Sequence, residues 1–209
     1  LFKKYDITAC IIASVVDELN KVLKRACDNV FHIDSLLLSP KLNLGIKIKL
    51  KNPKEAGADR IANACGAYVL YSKPAIIVDL GTATTFDIIN KDGDFVGGVI
   101  MPGLNLQFRA LNKSTSKLPK IEPDTVSKAI GDNTADAILS GVIRGSACAI
   151  EGLIEQCEKE LGEKACIIAT GGYSGLIAKY MTREFDFVNP YLTLEGLRFL
   201  YELNREVDS

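Results

Sequence analysis

The chain has 209 residues, enough for one large or two small domains, and its 47% hydrophobic and 24% charged residues are ordinary for a globular protein. Lys and Arg number 25 against 26 Asp and Glu, so no broad basic field exists to grip nucleic acid through its phosphates. No charged n-region with an apolar h-region opens the chain and no uncharged apolar run reaches membrane-spanning length, so neither a secretory leader nor a membrane span is expected.

Residues 8–13 read as a short apolar strand, and Val15, Val16, Leu19, Val22, Leu23 and Ala26 then recur at helical spacing. From Asn43 to Leu50 the pattern alternates, with Leu44, Ile46, Ile48 and Leu50 on one face, which predicts a half-buried strand. Pro53 and Gly57 mark a loop before a helix from about Ala58 to Tyr71. Lys73-Pro74 is the candidate domain boundary, dividing residues 1–73 from 74–209. Beyond it, Ala75 to Val78 is a fully apolar strand ending at Asp79, and the turn Gly81-Thr82-Ala83-Thr84 leads to a second strand, Thr85 to Ile89. Asp92-Gly93 is a hairpin signal before a third strand, Phe95 to Ile100, and a helix near Leu104 to Leu111. A long helical stretch runs from about Asn133 to Leu161, with Gly141, Gly145, Ala149 and Gly152 on one stripe. That stripe suits close packing within a domain or across a dimer, packing within the domain being the plainer reading; Asp136, Arg144 and Glu151 argue against a membrane helix. Cys166 to Ala169 is another buried strand, and Thr193 to Asn204 a final helix. Three consecutive strands within an alternating pattern predict an α/β chain whose second domain opens with an antiparallel meander.

Three short segments carry candidate chemistry. In Asp79-Leu80-Gly81-Thr82-Ala83-Thr84-Thr85 an aspartate near the end of a buried strand meets a Gly-Thr turn. Such a turn can offer N–H groups and a hydroxyl to phosphate, with the carboxylate beside a neutralising cation. It also fits a hairpin whose aspartate satisfies backbone donors. In Gly57-Ala58-Asp59-Arg60 the aspartate opens a helix, as a partner of the helix dipole or as a base toward a substrate hydroxyl. Thr170-Gly171-Gly172 ends a buried strand, either as a plain turn or as a flat surface for a ligand. There is no GxxxxGK[ST] and no GxGxxG after a strand, so phosphate handling needs another device. The six cysteines form no CxxC and His32 is the only histidine, which argues against a zinc cluster. Reduced, buried thiols in a cytoplasmic protein are expected.

Taken in order, residues 52–63, 78–87, 97–104, Leu118-Pro119, 131–134, 169–172 and 192–197 make the chain resemble the type III pantothenate kinases over roughly residues 8–204. The resemblance implies an α/β, two-domain actin/hexokinase/Hsp70-like (ribonuclease H-like) fold. It implies phosphorylation of pantothenate by ATP with Mg2+, the first step of coenzyme A biosynthesis, aided by a monovalent cation, K+ or NH4+. Asp59 would be the general base, with Gly57, Ala58, Arg60 and Thr134 also around pantothenate. Asp79 would hold the monovalent cation, Gly81 and Thr82 would meet the ATP phosphates, and Gly171 and Gly172 would lie near the nucleoside. The implied assembly is a homodimer with the pantothenate pocket near the subunit interface. Two departures stand out. Leu50 occupies a position where many members carry a substrate-contacting aromatic. The family's opening Asp-x-Gly-Asn-Thr segment, which grips ATP and magnesium, has no match, so the first domain is expected to be N-terminally truncated: either that segment has been removed or this form does not bind ATP productively. The rival readings are a non-catalytic regulatory or binding relative, against which the intact 57–60 and 79–85 blocks speak, and a sugar or acetate kinase of the same superfamily, against which Gly-Ala-Asp-Arg speaks.

Overall fold

The structure is a computed structural model that describes residues 6–114, 119 and 121–205; Leu118, part of the family-like Leu118-Pro119, lies outside the described residues. A five-stranded mixed sheet organises the chain, in the order β5-β4-β3-β6-β7. β3 (Ala75–Leu80) pairs antiparallel with β4 (Ala83–Ile89), and β4 pairs antiparallel with β5 (Phe95–Pro102). On its other edge β3 runs parallel to β6 (Cys166–Thr170), which runs parallel to the short edge strand β7 (Phe187–Val188). Upstream, β1 (Ile11–Ile12) and β2 (Leu36–Leu37) form a separate two-stranded parallel pair flanking α1 (Asp17–Phe31).

The central strand is apolar apart from Asp79 because both faces of the sheet are covered. Ile76, Val78 and Leu80 join Phe86, Ile167 and Ala169 in one core, under α3 (Leu104–Ser114), α4 (Thr134–Leu139), α5 (Gly145–Leu161) and α6 (Ser174–Ala178). Ala75 and Ile77 point the other way, with Ile89, Phe95 and Ile168, into a second core under α2 (Ala58–Leu70) and α7 (Leu192–Asn204). This second core draws residues from both sides of Lys73-Pro74. α2 and α7 cross closely, since a Cβ on Gly196 would run into the Ala62 carbonyl.

Several expected elements differ. The alternating stretch from Asn43 to Leu50 forms no strand; only Ile48 bridges, to Phe95. Gly45 takes a left-handed φ of 69°, which breaks extended pairing, yet Leu44 is buried and Ile46, Ile48 and Leu50 pack on the second core. The strand expected over 8–13 shrinks to Ile11–Ile12. The glycine stripe also departs from the plainer reading. A Cβ added to Gly141, Gly145 or Gly152 would meet nothing within 4 Å, so these glycines face open space rather than a neighbouring element of the chain. Of the cysteines, only Cys65 is fully buried, and Cys148 is exposed.

The long helical stretch is broken by a π-helical turn at Ser140–Arg144 between α4 and α5. Together they make a 28-residue helix, Thr134–Leu161, long and apolar enough to cross a membrane by length and composition. Its inward residues Ile138, Val142, Ile143, Ala147, Ile150 and Ile154 fill the first core, as in a core helix of a globular protein.

Candidate functional site

The carboxyl ends of β3 and β6 lie side by side, and the turns that follow them face one another. Asp79 is in register with Thr170, so both side chains leave the sheet on the α2/α7 face. After β3 the chain turns at Gly81-Thr82, closed by the Gly81 N–H donating to the Ala83 carbonyl at 3.0 Å. The Gly103 N–H braces this turn from outside by donating to the Thr82 carbonyl at 3.2 Å, and the Thr82 side chain is exposed. After β6 the chain turns at Gly171, whose φ is 85°. A Cβ there would stand 2.5 Å from Asp79 Oδ1 and 2.7 Å from the Leu80 N, so only glycine lets this turn close on the end of β3. The Tyr173 N–H then donates to the Leu80 carbonyl at 3.3 Å, fastening the Gly171-Gly172 turn to β3.

α2 delivers the second carboxylate. Gly57 is its N-cap and Asp59 lies in its first turn, an exposed side chain whose Oδ1 accepts from the Arg60 N–H at 2.8 Å. An acidic group there is favoured by the helix dipole. Four residues on, one helical turn along the same face, Asn63 is buried and donates from Nδ2 to Asp79 Oδ2 at 3.0 Å. Asp79 is thus held from α2, the helix that carries Asp59. Burial raises the Asp79 pKa, the Asn63 hydrogen bond offsets part of that rise, and the negative charge of nearby Asp59 adds to it. The two aspartates therefore share one electrostatic environment.

A third carboxylate lies beneath. Asp87, on β4, is fully buried, and its Oδ1 accepts from Arg60 Nε at 2.6 Å. Arg60 also approaches the Phe86 carbonyl through Nη2 at 3.4 Å and lies over the Phe95 ring at 5.4 Å. Its side chain is only 15% exposed, so the guanidinium is turned chiefly into the protein. Burial pushes the Asp87 carboxyl up to about 7 despite the opposing Arg60 charge, and Asp59 and Asp79 push it the same way. Two buried oxygens here have no hydrogen-bond partner: Asp87 Oδ2 and the Thr170 hydroxyl.

A proton held more tightly by the folded protein stabilises it at low pH. Asp87's contribution is full below the ordinary aspartate range and is lost as pH rises through about 7. Asp87→Asn keeps an acceptor for Arg60 and cannot ionise. The wild-type melting temperature is expected to fall between about pH 4 and 7 and then level off, and the variant to show a shallower fall; parallel curves would remove Asp87 as the titrating group.

The structure thus gathers Gly57, Ala58, Asp59, Arg60, Asp79, Gly81, Thr82, Gly171 and Gly172 around the ends of β3 and β6 and the start of α2. Thr134 stands apart. It lines a separate, mainly apolar cavity of about 680 Å³ with Gln107, Ala110, Leu111, Ala137, Ile138, Gly141 and Val142. Sequence reading assigned no individual role to Asn63, Asp87, Thr170 or Thr193. Asn63 was legible as one turn from Asp59, and Asp87 as a charge within an apolar strand.

The family model for type III pantothenate kinase matches residues 1–156. A type III pantothenate kinase of Dehalococcoides mccartyi strain CBDB1 is 45% identical over 200 residues, 96% of this chain and 76% of the relative. One from Bacillus cytotoxicus is 42% identical over 199 residues, 95% of this chain and 76% of the relative. Among solved structures, one described as a conserved Baf family transcriptional activator from Campylobacter jejuni superposes with a TM-score of 0.67 at 22% identity, covering 96% of this chain and 85% of that one. The ethanolamine utilization protein EutJ from Carboxydothermus hydrogenoformans gives 0.51 at 15% identity, covering 93% and 66%. These two likenesses concern the fold alone, that of the actin/hexokinase/Hsp70-like ATPases.

Proposed function

The chain belongs to the type III pantothenate kinase family, and from that premise we propose that the cleft between Asp59 and Asp79 is where its reaction takes place. The family's reaction is phosphorylation of pantothenate by ATP, in coenzyme A biosynthesis, and ATP enters with a divalent metal. The observation that carries the site assignment is the hydrogen bond from Asn63 to Asp79, which ties the second aspartate to the helix bearing the first.

In this reading Asp59, exposed at the start of α2, takes the proton of the pantothenate hydroxyl as its oxygen attacks the γ-phosphorus, and ADP departs with the bridging oxygen's electron pair. Phosphoryl transfer asks chiefly for positioning and charge stabilisation. The Gly81-Thr82 turn presents its backbone and hydroxyl to the phosphates, and Gly171-Gly172 gives the nucleoside a surface free of side chains. Gly57 and Ala58 line the pantothenate side. Arg60 borders it while its guanidinium anchors the first turn of α2 to Asp87.

Asp79 is proposed to hold a monovalent cation, K+ or NH4+. The fit is favourable. Asp79 Oδ2 is taken by Asn63, Oδ1 faces the two glycine turns, and the Thr170 hydroxyl one strand away is buried and unpartnered. The side-chain donors are oxygens, suited to a hard cation. Among the described residues no three His, Cys, Asp or Glu side chains are grouped to hold a metal, so such an ion would share its shell with backbone and phosphate oxygens. Three carboxylates with one guanidinium among them also leave excess negative charge. A bound cation would offset that charge beside the phosphates. Activity is measured as ADP release with pantothenate as acceptor, with and without K+. Asp79→Asn is expected to abolish the K+ response, and an unchanged response would remove Asp79 from that role.

A homodimer belongs to the same reading. The outward-facing stripe of Gly141, Gly145 and Gly152 and the apolar cavity at Thr134 offer a surface for a second copy, which would bring Thr134 toward a partner's pantothenate. The near-neutral charge supports a small-molecule enzyme without a nucleic-acid partner. The packing of Thr134–Leu161 into the core supports a protein that does not span a membrane, and free cysteines suit a cytoplasmic location.

A further inference from the structure

We infer that Thr193, acting through Asn63, is a positioning residue for the Asp79 carboxylate, so that α7 sets the geometry of the proposed cation site. This rests on the reading of Asp79 as the cation ligand.

The relay is continuous and internal. The Thr193 hydroxyl donates to Asn63 Oδ1 at 2.6 Å, and Asn63 Nδ2 donates to Asp79 Oδ2 at 3.0 Å. Asn63 is 1% exposed, so water cannot substitute freely for either bond. An amide offers a carbonyl and an NH2 that a half-turn about χ2 interchanges in space. The Thr193 hydroxyl could accept from the NH2 instead, but the flipped amide would then aim its carbonyl at a carboxylate, which has no proton to give. The hydroxyl as donor and the carboxylate as acceptor thus agree on one orientation. With Oδ2 committed to Asn63, the carboxylate plane is fixed and Oδ1 points at the Gly81 and Gly171 turns. A carboxylate free to rotate would lose some of its time in that orientation.

Thr193 sits in the first turn of α7, where that helix lies against α2. Its backbone is needed for the helix; its hydroxyl is not. The Asn63 position in α2 is likewise helical without the amide. What the two polar groups specify is the aim of a side chain on the sheet between them.

The test uses Thr193→Val, which removes the hydroxyl at nearly constant volume, with Thr193→Ser as the restoring variant and Asn63→Ser as a second break in the relay. On the full-length gene product, the K+ concentration giving half-maximal activation is expected to rise roughly 3–10-fold in Thr193→Val, the loss of about one hydrogen bond. It should rise at least as far in Asn63→Ser and return toward wild type in Thr193→Ser. The kcat at saturating K+ should recover to within about twofold, since the hydrogen bond acts on the site's occupancy. A direct readout is the K+-dependent rise in melting temperature without nucleotide, whose midpoint should shift in parallel. A merely structural role would lower the melting temperature at every K+ concentration and leave both midpoints in place, and that result overturns the inference. Asp79→Asn separates the two levels. If it abolishes the K+ response while Thr193→Val leaves the midpoint unmoved, the relay alone fails. If wild type and Asp79→Asn are equally indifferent to K+, the cation reading fails and the relay's purpose goes with it.

Discussion

Asp59→Asn is expected to lower kcat by about 10²–10⁴-fold, the usual contribution of a positioned base. The amide keeps the size of the carboxylate and can still present an oxygen to the Arg60 N–H, so the first turn of α2 should survive. It cannot take a proton from an alcohol. The side chain is exposed and its hydrogen bond with the Arg60 N–H is local, so the melting temperature should change little. Pantothenate KM should move far less than kcat, because the missing interaction develops only in the transition state. ADP release with pantothenate as acceptor gives both parameters. A variant that turns over at close to the wild-type rate would show that the hydroxyl proton leaves by another route.

Arg183→Met is expected to cost about 1.5–3 kcal/mol of stability, the range for hydrogen bonds to a charged group, since Glu158 is buried but Arg183 is 38% exposed. Glu158, on α5, is 4% exposed and receives both arms of the Arg183 guanidinium, each at 2.7 Å. Lys164 at 2.9 Å and the Ala165 N–H at 3.0 Å remain after the substitution, which keeps the loss near the lower bound. For a chain of this size, that corresponds to a fall in melting temperature of about 3–12 °C. The Arg183 guanidinium, ahead of the other partners, holds the Glu158 carboxyl down at about 2, against 4.5 ordinarily. Its contribution is present above about pH 4.5 and is lost as pH falls toward 2. The variant should therefore begin acid unfolding at a higher pH. Equal melting temperatures at pH 7, or identical acid transitions, would show the pair to be energetically idle.

The meander from Ala75 to Pro102 was legible because its signals are local: apolar strands, a Gly-Thr turn and an Asp-Gly hairpin. The helices at 58–70 and 192–204 were legible from periodicity. The stretch 43–50 misled because alternation shows which side chains are buried but not whether the backbone finds a partner. Leu44 and its neighbours do reach the core, without a strand to carry them. Likewise the spacing of Gly141, Gly145 and Gly152 shows a smooth helix face but not what lies opposite. At the site, Asp59, Asp79 and the Gly171 turn were marked by their place at element ends. The relay from Thr193 was not, since it joins residues 130 positions apart and exists only where α7 crosses α2. Arg60 read as a group facing substrate; its inward turn depends on Asp87, whose place beneath it is set by the register of β4.

The π turn at Ser140–Arg144 carries a lesson about length. In the burial sequence Ile138, Val142, Ile143, Ala147, Ile150, Ile154, the step from Val142 to Ile143 is a slip of one position, which the wide turn absorbs. A one-codon deletion inside these five residues would restore uninterrupted α geometry with both flanks keeping their phase, since the wide turn holds one residue more than an α turn. A one-codon deletion just after it, between Gly145 and Ala149, meets no such slack: everything on one side of the cut would revolve by about 100° relative to the other. Either Ile138 or Ile150 would be driven out into solvent, and the Thr134 hydroxyl would face a different direction. A single-residue deletion should therefore be better tolerated inside the π turn than in the α-helix beside it, and chains lacking one residue of the turn should keep the same helix phase.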